Sequence, residues 1–467
     1  MKKTIVLSAF AALLLLNSSC RKIEVDNNAV VTDPGGTTEN TLLSGRITSD
    51  RTLKSNYVYT LRDLVYVTNG ATLTIEPGTK IVGEKSSRGA LIITRGCKLV
   101  ANGTVDKPIV FTSNQTTGAA RGDWGGVVLI GRARTNSTFN GTTGLGEVEG
   151  GVNNGEGLGL YGGTDDADNS GSLKYVRIEY AGYAFLPDKE LNGLSLYAIG
   201  NGTTISNVQV SYANDDSFEW FGGTVNCDHL IAYKGLDDEQ DSDNGFSGKV
   251  QFVICQRDSS VADISGSNGW ESDNDANGLG VTNINQPQTK AVWANITMVG
   301  PRATTSNIGN SLFRNGAQIR RNSSISIYNS VMMGWPTGLY IDATTGRPTD
   351  VNISSGNLNI QGLTIAGCNT PLKFSSAGNS QANSFALSDL QTWFNTATYK
   401  NEILAQAADV KLTDPFNQTG SPDFTPLPGS PLLTGAVTIL PIDGIQAVNY
   451  RGAVGPNDTW WKGWTKF

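Results

Sequence analysis

Three acidic runs hold the residues best placed to do chemistry. The first is Asn214-Asp215-Asp216-Ser217-Phe218-Glu219, the second spans Asp237 to Gly245, and the third spans Glu271 to Gly278. Asp215/Asp216 and Asp237/Asp238 are 22 positions apart. If that interval is one turn of a repeating coil, all four carboxylates fall at the same corner of adjacent strands, about 4.8 Å apart. Carboxylates that close repel one another, so a bound cation or raised pKa values are expected. The metal candidates are Asp237, Asp238, Asp241, Asp243, Asp273, Asp275 and Asn277, with calcium the expected ion because it prefers hard oxygen ligands. Asp273-x-Asp275-x-Asn277-Gly278 matches the first half of a calcium loop, but Ile284 stands where an EF-hand carries Glu. Asp166-x-Asp168-x-Ser170-Gly171 is a weaker copy. The same runs also read as ordinary solvated turns.

Two catalytic templates use these residues. A glycoside hydrolase needs two opposed carboxylates, which Asp215, Asp216, Asp237 and Asp238 could supply. A polysaccharide lyase needs calcium plus a base beside a uronate, for which Arg257, Arg320 or Arg321 could serve. Neither motif is complete. His229 is the one histidine; a step of 21 turns it into a core with Val208, and a step of 22 turns it out. With a single histidine, three-His zinc chemistry is excluded. A net charge of −7 argues against a nucleic-acid partner. Cys97, Cys227, Cys255 and Cys368 contain no CxxC. Cys227 and Cys255 are the one pair worth testing as a bridge, and all four read most simply as small core residues.

The elements that must position the acidic runs are short strands in register. Val176-Arg-Ile178-Glu-Tyr180 matches Val208-Gln-Val210-Ser-Tyr212 position for position, and related runs begin near His229, Val250, Ala294, Tyr328 and Gln361. Alternation within each run buries one face. A period near 20–22, lengthened in places by insertions, is that of a parallel β-helix whose coils bury their apolar faces on one another. That reading explains the 55 glycines as coil corners needing positive φ. Gly122-Asp123-Trp124-Gly125-Gly126 reads as a corner with a packed tryptophan. A propeller would need blades of about 40–45 residues, which the chain lacks.

The ends differ from the body. Lys2 and Lys3 precede an apolar run from Ile5 to Leu16 and then Asn17-Ser18-Ser19-Cys20, the pattern of a signal peptide. Small residues before a cysteine resemble a lipobox, which makes Cys20 the lipidated first residue of the mature protein. Removing residues 1–19 takes two lysines, so the net charge moves from −7 to −9. Residues 20–41 read as a lipid-anchored tether, 42–380 as the β-helix and 381–467 as its C-terminal helix and cap. Ser388 reads as the N-cap of a short helix ending near Phe394, and the Trp460-Trp461-Lys462-Gly463-Trp464 tail reads as a terminal cap.

Several segments carry a family resemblance. Gly70 to Gly126, Asn214 to Phe252, Ile319-Arg320-Arg321-Asn322-Ser323-Ser324-Ile325, and Val448-Asn449-Tyr450-Arg451-Gly452-Ala453 with the tryptophan tail are similar to Bacteroidetes-type β-helix surface lipoproteins. The resemblance implies an outer-membrane, surface-exposed lipoprotein associated with a TonB-dependent uptake receptor, and it supplies no catalytic residues. The expected fold is all-β: a right-handed single-stranded parallel β-helix, a pectate-lyase-like solenoid with a short C-terminal helix and aromatic cap. The expected function is non-enzymatic binding of a nutrient or glycan, with a lyase, a hydrolase or an adhesion protein as alternatives.

Overall fold

The computed structural model describes residues 30–32, 38–186, 189–274, 286–302, 304–306, 309–439, 442 and 444–467. The signal peptide, Cys20, Asp275, Asn277 and Gly278 lie outside the described residues. Among those described, no helix is long and apolar enough to cross a membrane.

Among the described residues, twenty-six strands join into one continuous sheet that coils on itself with parallel pairing throughout. One coil shows the plan. Strand Asn226–Tyr233 pairs through Cys227 with Val250, turns a corner at His229, and pairs again through Leu230 with Val253. A loop then leads to strand Gln240–Asp243, which lies beside Phe218–Phe221 below and Trp270–Ser272 above. Each coil therefore contributes to three faces. The first contains Cys227, the second Leu230, and the third Gln240. Parallel pairing runs from Leu42 to Leu404. Just before it, Val30–Thr32 and Thr38–Asn40 pair antiparallel.

The corner between the first two faces is left-handed. Tyr175, Asn207, His229, Phe252, Asn295 and Asn329 occupy it with φ from 46 to 58°, a conformation costing a non-glycine residue on the order of 1–2 kcal/mol. Stacking offsets part of that cost, as with His229 on Phe252 at 4.9 Å. His229 thus points neither into the core nor squarely out of it. It is 22 positions after Asn207, and Leu230 rather than His229 pairs with Val208.

The interior is one long apolar column from Leu43 to Phe394. Trp293 meets Trp220 at 5.3 Å and Trp270 at 4.8 Å, edge to face. Trp124 is fully buried, lies parallel to Phe111 at 6.4 Å and donates to the Glu179 carbonyl at 2.8 Å. Gly83 makes room for it, since a Cβ there would lie 2.4 Å from the Trp124 Cβ. All four described cysteines are buried and free. Cys227 is on the first face opposite Val250 and Cys255 on the second opposite Ala232, so the proposed bridge is absent.

Helix Leu387–Phe394 lays Leu390 and Phe394 on the C-terminal end of that column. Its N-cap is Ala386, not Ser388; the Asp389 carboxylate accepts from the Ala386 N–H at 2.9 Å. The aromatic tail does not close the end of the solenoid as expected. It runs lengthwise over the outer side of the second face, where Trp461, Trp464, Val454 and Phe424 pack on Ile231, Tyr233, Ile254 and Val331. Side-chain amides of the coils grip the tail backbone as a neighbouring strand would. Gln209 bonds both N–H and C=O of Lys466 (2.9 and 2.7 Å), Gln251 does the same to Gln446, and Asn329 to Val437. The reason is chemical: an amide side chain presents the same donor and acceptor as a peptide group.

A second excursion, residues 131–170, covers the outside of the third face in the early coils. Val148, Val152 and Tyr161 pack there on Ile130, Tyr197 and Phe221. From Asp241 onward the outer side of that face carries polar groups.

Truncating Trp464 to alanine removes a fully buried side chain and is expected to cost about 3–5 kcal/mol. Limited proteolysis of Trp464→Ala should release the tail while far-UV circular dichroism of the coils persists. A tail as protected as that of the unmodified protein would refute its role as a brace.

Candidate functional site

Register builds the site. Because side chains alternate, Phe218, Gln240 and Trp270 point inward on the third face, and their successors Glu219, Asp241 and Glu271 stack outward as one row. Ser195 precedes this row and Gln318, Tyr340 and Lys373 continue it. A second row lies at the neighbouring corner. The Asp216 carboxylate accepts from the Asp238 N–H at 2.8 Å, Asp238 from the Asn268 N–H at 2.5 Å, and Asn268 from the Asn315 N–H at 3.3 Å. These side chains tie each coil to the next.

The two rows converge. One carboxylate oxygen each from Asp215, Asp216 and Asp237 lie within 4.8 Å of one another, as do oxygens from Asp216, Glu219 and Asp241. Asp216 belongs to both sets. Two oxygens bound to one calcium at about 2.3–2.6 Å lie at most about 5 Å apart, so both sets fit a shared ion. All donors are hard oxygens, which suit calcium or magnesium rather than zinc or copper. Among the described residues, Oδ1 of Asp237 and Oδ1 of Asp241 are buried and accept no hydrogen bond.

Burial and mutual repulsion raise the pKa values here. Asp237 is pushed up to about 6, Asp243 to about 7 and Glu271 to about 8, with desolvation the leading cause of each. Desolvation also leads at Asp215, Asp216, Glu219, Asp238 and Asp241, all well above the usual carboxylate range. The nearest like charge adds to it: Asp237 at Asp215, Asp215 at Asp216, and Asp241 at Glu219. Two arginines oppose this at one end. Arg320 reaches Glu271 at 2.5 Å and Asp273 at 2.7 Å, and Arg321 reaches Asp273 at 2.7 Å.

The residues singled out from the sequence divide accordingly. Asp215, Asp216, Asp237 and Asp241 converge on the two oxygen sets. Asp238 lies one coil above Asp216 with its oxygens on Asn268, and buried Asp243 accepts from the Asn244 N–H at 2.5 Å. Asp273, proposed as a metal ligand, is instead held between two arginines, while its partners Asp275 and Asn277 lie outside the described residues. Arg257, proposed as a catalytic base, has no exposed side chain and pairs with Glu239 at 3.0 Å. It donates to the Leu236 and Asp237 carbonyls, fixing the loop that carries Asp237 and Asp238. A charge enclosed in that way does not meet a substrate. Asp166 clamps Arg134, and Asp168 accepts from the Arg132 N–H at 3.0 Å, so that run is a structural turn. Glu219 stood in the first acidic run but not among the metal candidates, although its offset of 22 from Asp241 is the same interval that links Asp215 to Asp237.

The architecture defines a class: a parallel β-helix with an acidic row on one face and a peptide brace on another. A family model described as a pectate-lyase-like β-helix domain matches residues 45–410, most of the chain, and the protein belongs to that family. No curated protein matches the chain. No solved structure matches it.

Two outcomes test this account. The raised acids bind protons more tightly in the folded chain than in the unfolded one, whose carboxylates titrate near 4. Their contribution to stability without metal should therefore be fully present below that pH and lost as pH rises toward about 8. It is read between about pH 5 and 8 as a declining thermal midpoint in chelator, above the range in which acids held low by their partners, such as Glu84 and Asp166, take up protons. A midpoint that climbs across this window would contradict the crowding. Arg257→Met strands buried Glu239 without its counter-charge and is expected to cost about 3–5 kcal/mol; a variant of unchanged stability would reopen a functional role for Arg257.

Proposed function

We propose that this protein is a cell-surface binding protein, anchored to the outer membrane through lipid on Cys20, that holds calcium on its acidic face and engages a glycan through it. In this reading it delivers that ligand to a TonB-dependent receptor. The observation that carries the proposal is the pair of carboxylate sets sharing Asp216, each within 4.8 Å. When bound, the ion would neutralise the repulsion and offer open positions to sugar hydroxyls or carboxylates. Asp215, Asp216, Glu219, Asp237 and Asp241 would hold it. Gln318, Tyr340 and Lys373, further along the same outward row, supply amide, aromatic and ammonium partners for a chain lying along the coils.

Binding is favoured over catalysis on two grounds. Opposed glycosidase carboxylates leave about 5–5.5 or 6.5–9.5 Å for the sugar or a water, and oxygens within 4.8 Å suit one shared ion better. A lyase base must shed a proton, whereas Arg320 is paired to Glu271 and Asp273 and held above the ordinary arginine range. What favours a hydrolase is that burial pushes Asp237 up to about 6 and Asp243 up to about 7, a range suited to general acid–base work.

Calorimetric titration of the chelated protein with calcium at neutral pH should show uptake, and calcium at 100 times its Kd should add about 2.7 kcal/mol of stability. Asp216→Asn should weaken uptake at least tenfold, and glycan retention on an array should require calcium. Identical melting in calcium and chelator would sink the metal reading. New reducing or unsaturated ends on the glycans would replace binding with catalysis.

A further inference from the structure

The second face carries a pocket unrelated to the acidic rows. It measures about 740 Å³ and lies among the early coils, beside the end of the C-terminal tail. Four separated parts of the chain form it. Arg177, Thr112 and Glu179 supply the floor, the loop carrying Gln115 one rim, and Lys466 of the tail the other, with Lys80 on the preceding coil. Its volume falls in the range of small-ligand sites, about 300–1,000 Å³.

The walls are fixed before any ligand arrives. Asp123 accepts from the Ser113 hydroxyl at 2.7 Å and from the Ala120 N–H at 3.1 Å, and Lys85 pairs with Asp123 at 2.6 Å, which holds the rim loop. Gln209 grips Lys466 by its backbone, leaving its side chain 62% exposed with the ammonium 4.0 Å from the Glu179 carboxylate. Glu179 is buried; it accepts from the Thr112 hydroxyl at 3.1 Å and lies 3.2 Å from the Arg177 Nε as an ion pair rather than a hydrogen bond. Arg177 donates one N–H to the Trp464 carbonyl, and an arginine has five N–H donors.

Charge and shape together identify the ligand class. Lys80, Arg177 and Lys466 against Glu179 leave the pocket at +2 within a chain of net charge −7. Tyr180 lines the pocket with its ring stacked on Tyr212 at 5.2 Å and 7°, and Arg121 sits over Tyr212 at 5.4 Å. Gln115, Thr112 and Thr116 add neutral polar groups. A bare inorganic anion would use the cations alone and leave the aromatic wall and polar rim without a role. We infer that this pocket binds an anionic sugar of one or two residues, its charged group on Lys80, Arg177 and Lys466 and its ring against Tyr180. Carboxylated and phosphorylated sugars share this chemistry.

Saturation-transfer NMR and titration of the full chain in chelator, with glucuronate, glucose 6-phosphate, glucose and inorganic sulfate as probes, test the inference. Either or both anionic sugars should bind, glucose should not, and sulfate should bind at least tenfold more weakly. Lys80→Glu and Lys466→Glu, both at exposed positions, should each weaken sugar binding at least tenfold, and Tyr180→Ala should erase the preference over sulfate. Binding should persist in chelator, which separates this site from the acidic face. Equal signals for glucose and glucuronate, sulfate bound as tightly as the sugars, or indifference to Lys80→Glu would each overturn it.

Discussion

Backbone hydrogen bonding between parallel coils sets a spacing of about 4.8 Å, and most of the molecule follows from it. Whatever side chain occupies a position meets the side chain at that position one coil away. Apolar positions become a continuous column with edge-to-face tryptophans. Corner amides and carboxylates become ties, each accepting a backbone N–H from the coil above. Acidic positions on the third face are forced into one another's field, and the strands cannot move apart to relieve them.

That enforced crowding is why the acidic rows are the chemically distinctive part of the surface. An exposed carboxylate on a loop would rotate away from its neighbour. Here Glu219, Asp241 and Glu271 are held by ladder pairing, and Asp216 is held by the N–H it accepts. The buried Arg257–Glu239 pair stiffens the same corner from within, since the guanidinium also takes the carbonyls of residues 236 and 237. A rigid cage of oxygens is costly alone and favourable around a cation, a preorganisation that a flexible loop lacks.

The second face solves a different problem. A solenoid side covered only by its own side chains would expose Ile231, Ile254, Val299 and Val331 in a stripe, and the returning tail covers them with Trp461, Trp464 and Phe424. Gln209, Gln251 and Asn329 then act as strand edges turned sideways. The same tail forms one wall of the cationic pocket, so bracing and recognition share a segment.

The coil repeat was legible in the sequence. Val176 and Ile178 do pair with Val208 and Val210, and the offset of 22 brought Asp215 and Asp237 together, because a stacked fold turns sequence period into spatial contact. The same offset carried Glu219 to Asp241. Other features were illegible for a stated reason. Arg257 looked free because sequence does not report enclosure, and Asp273 looked like a metal ligand because Arg320 and Arg321 lie 47 and 48 positions later, beyond an insertion that breaks the period. The tryptophan tail read as an end cap because its composition fits any apolar surface. By itself, then, the sequence determined the β-helix, its period and the recurrence of carboxylates one coil apart, since those follow from local spacing. Only the tertiary structure decided which carboxylates converge, which arginines are enclosed and where the tail lies. Those depend on insertion lengths and on contacts between residues far apart in the chain, which no local periodicity encodes.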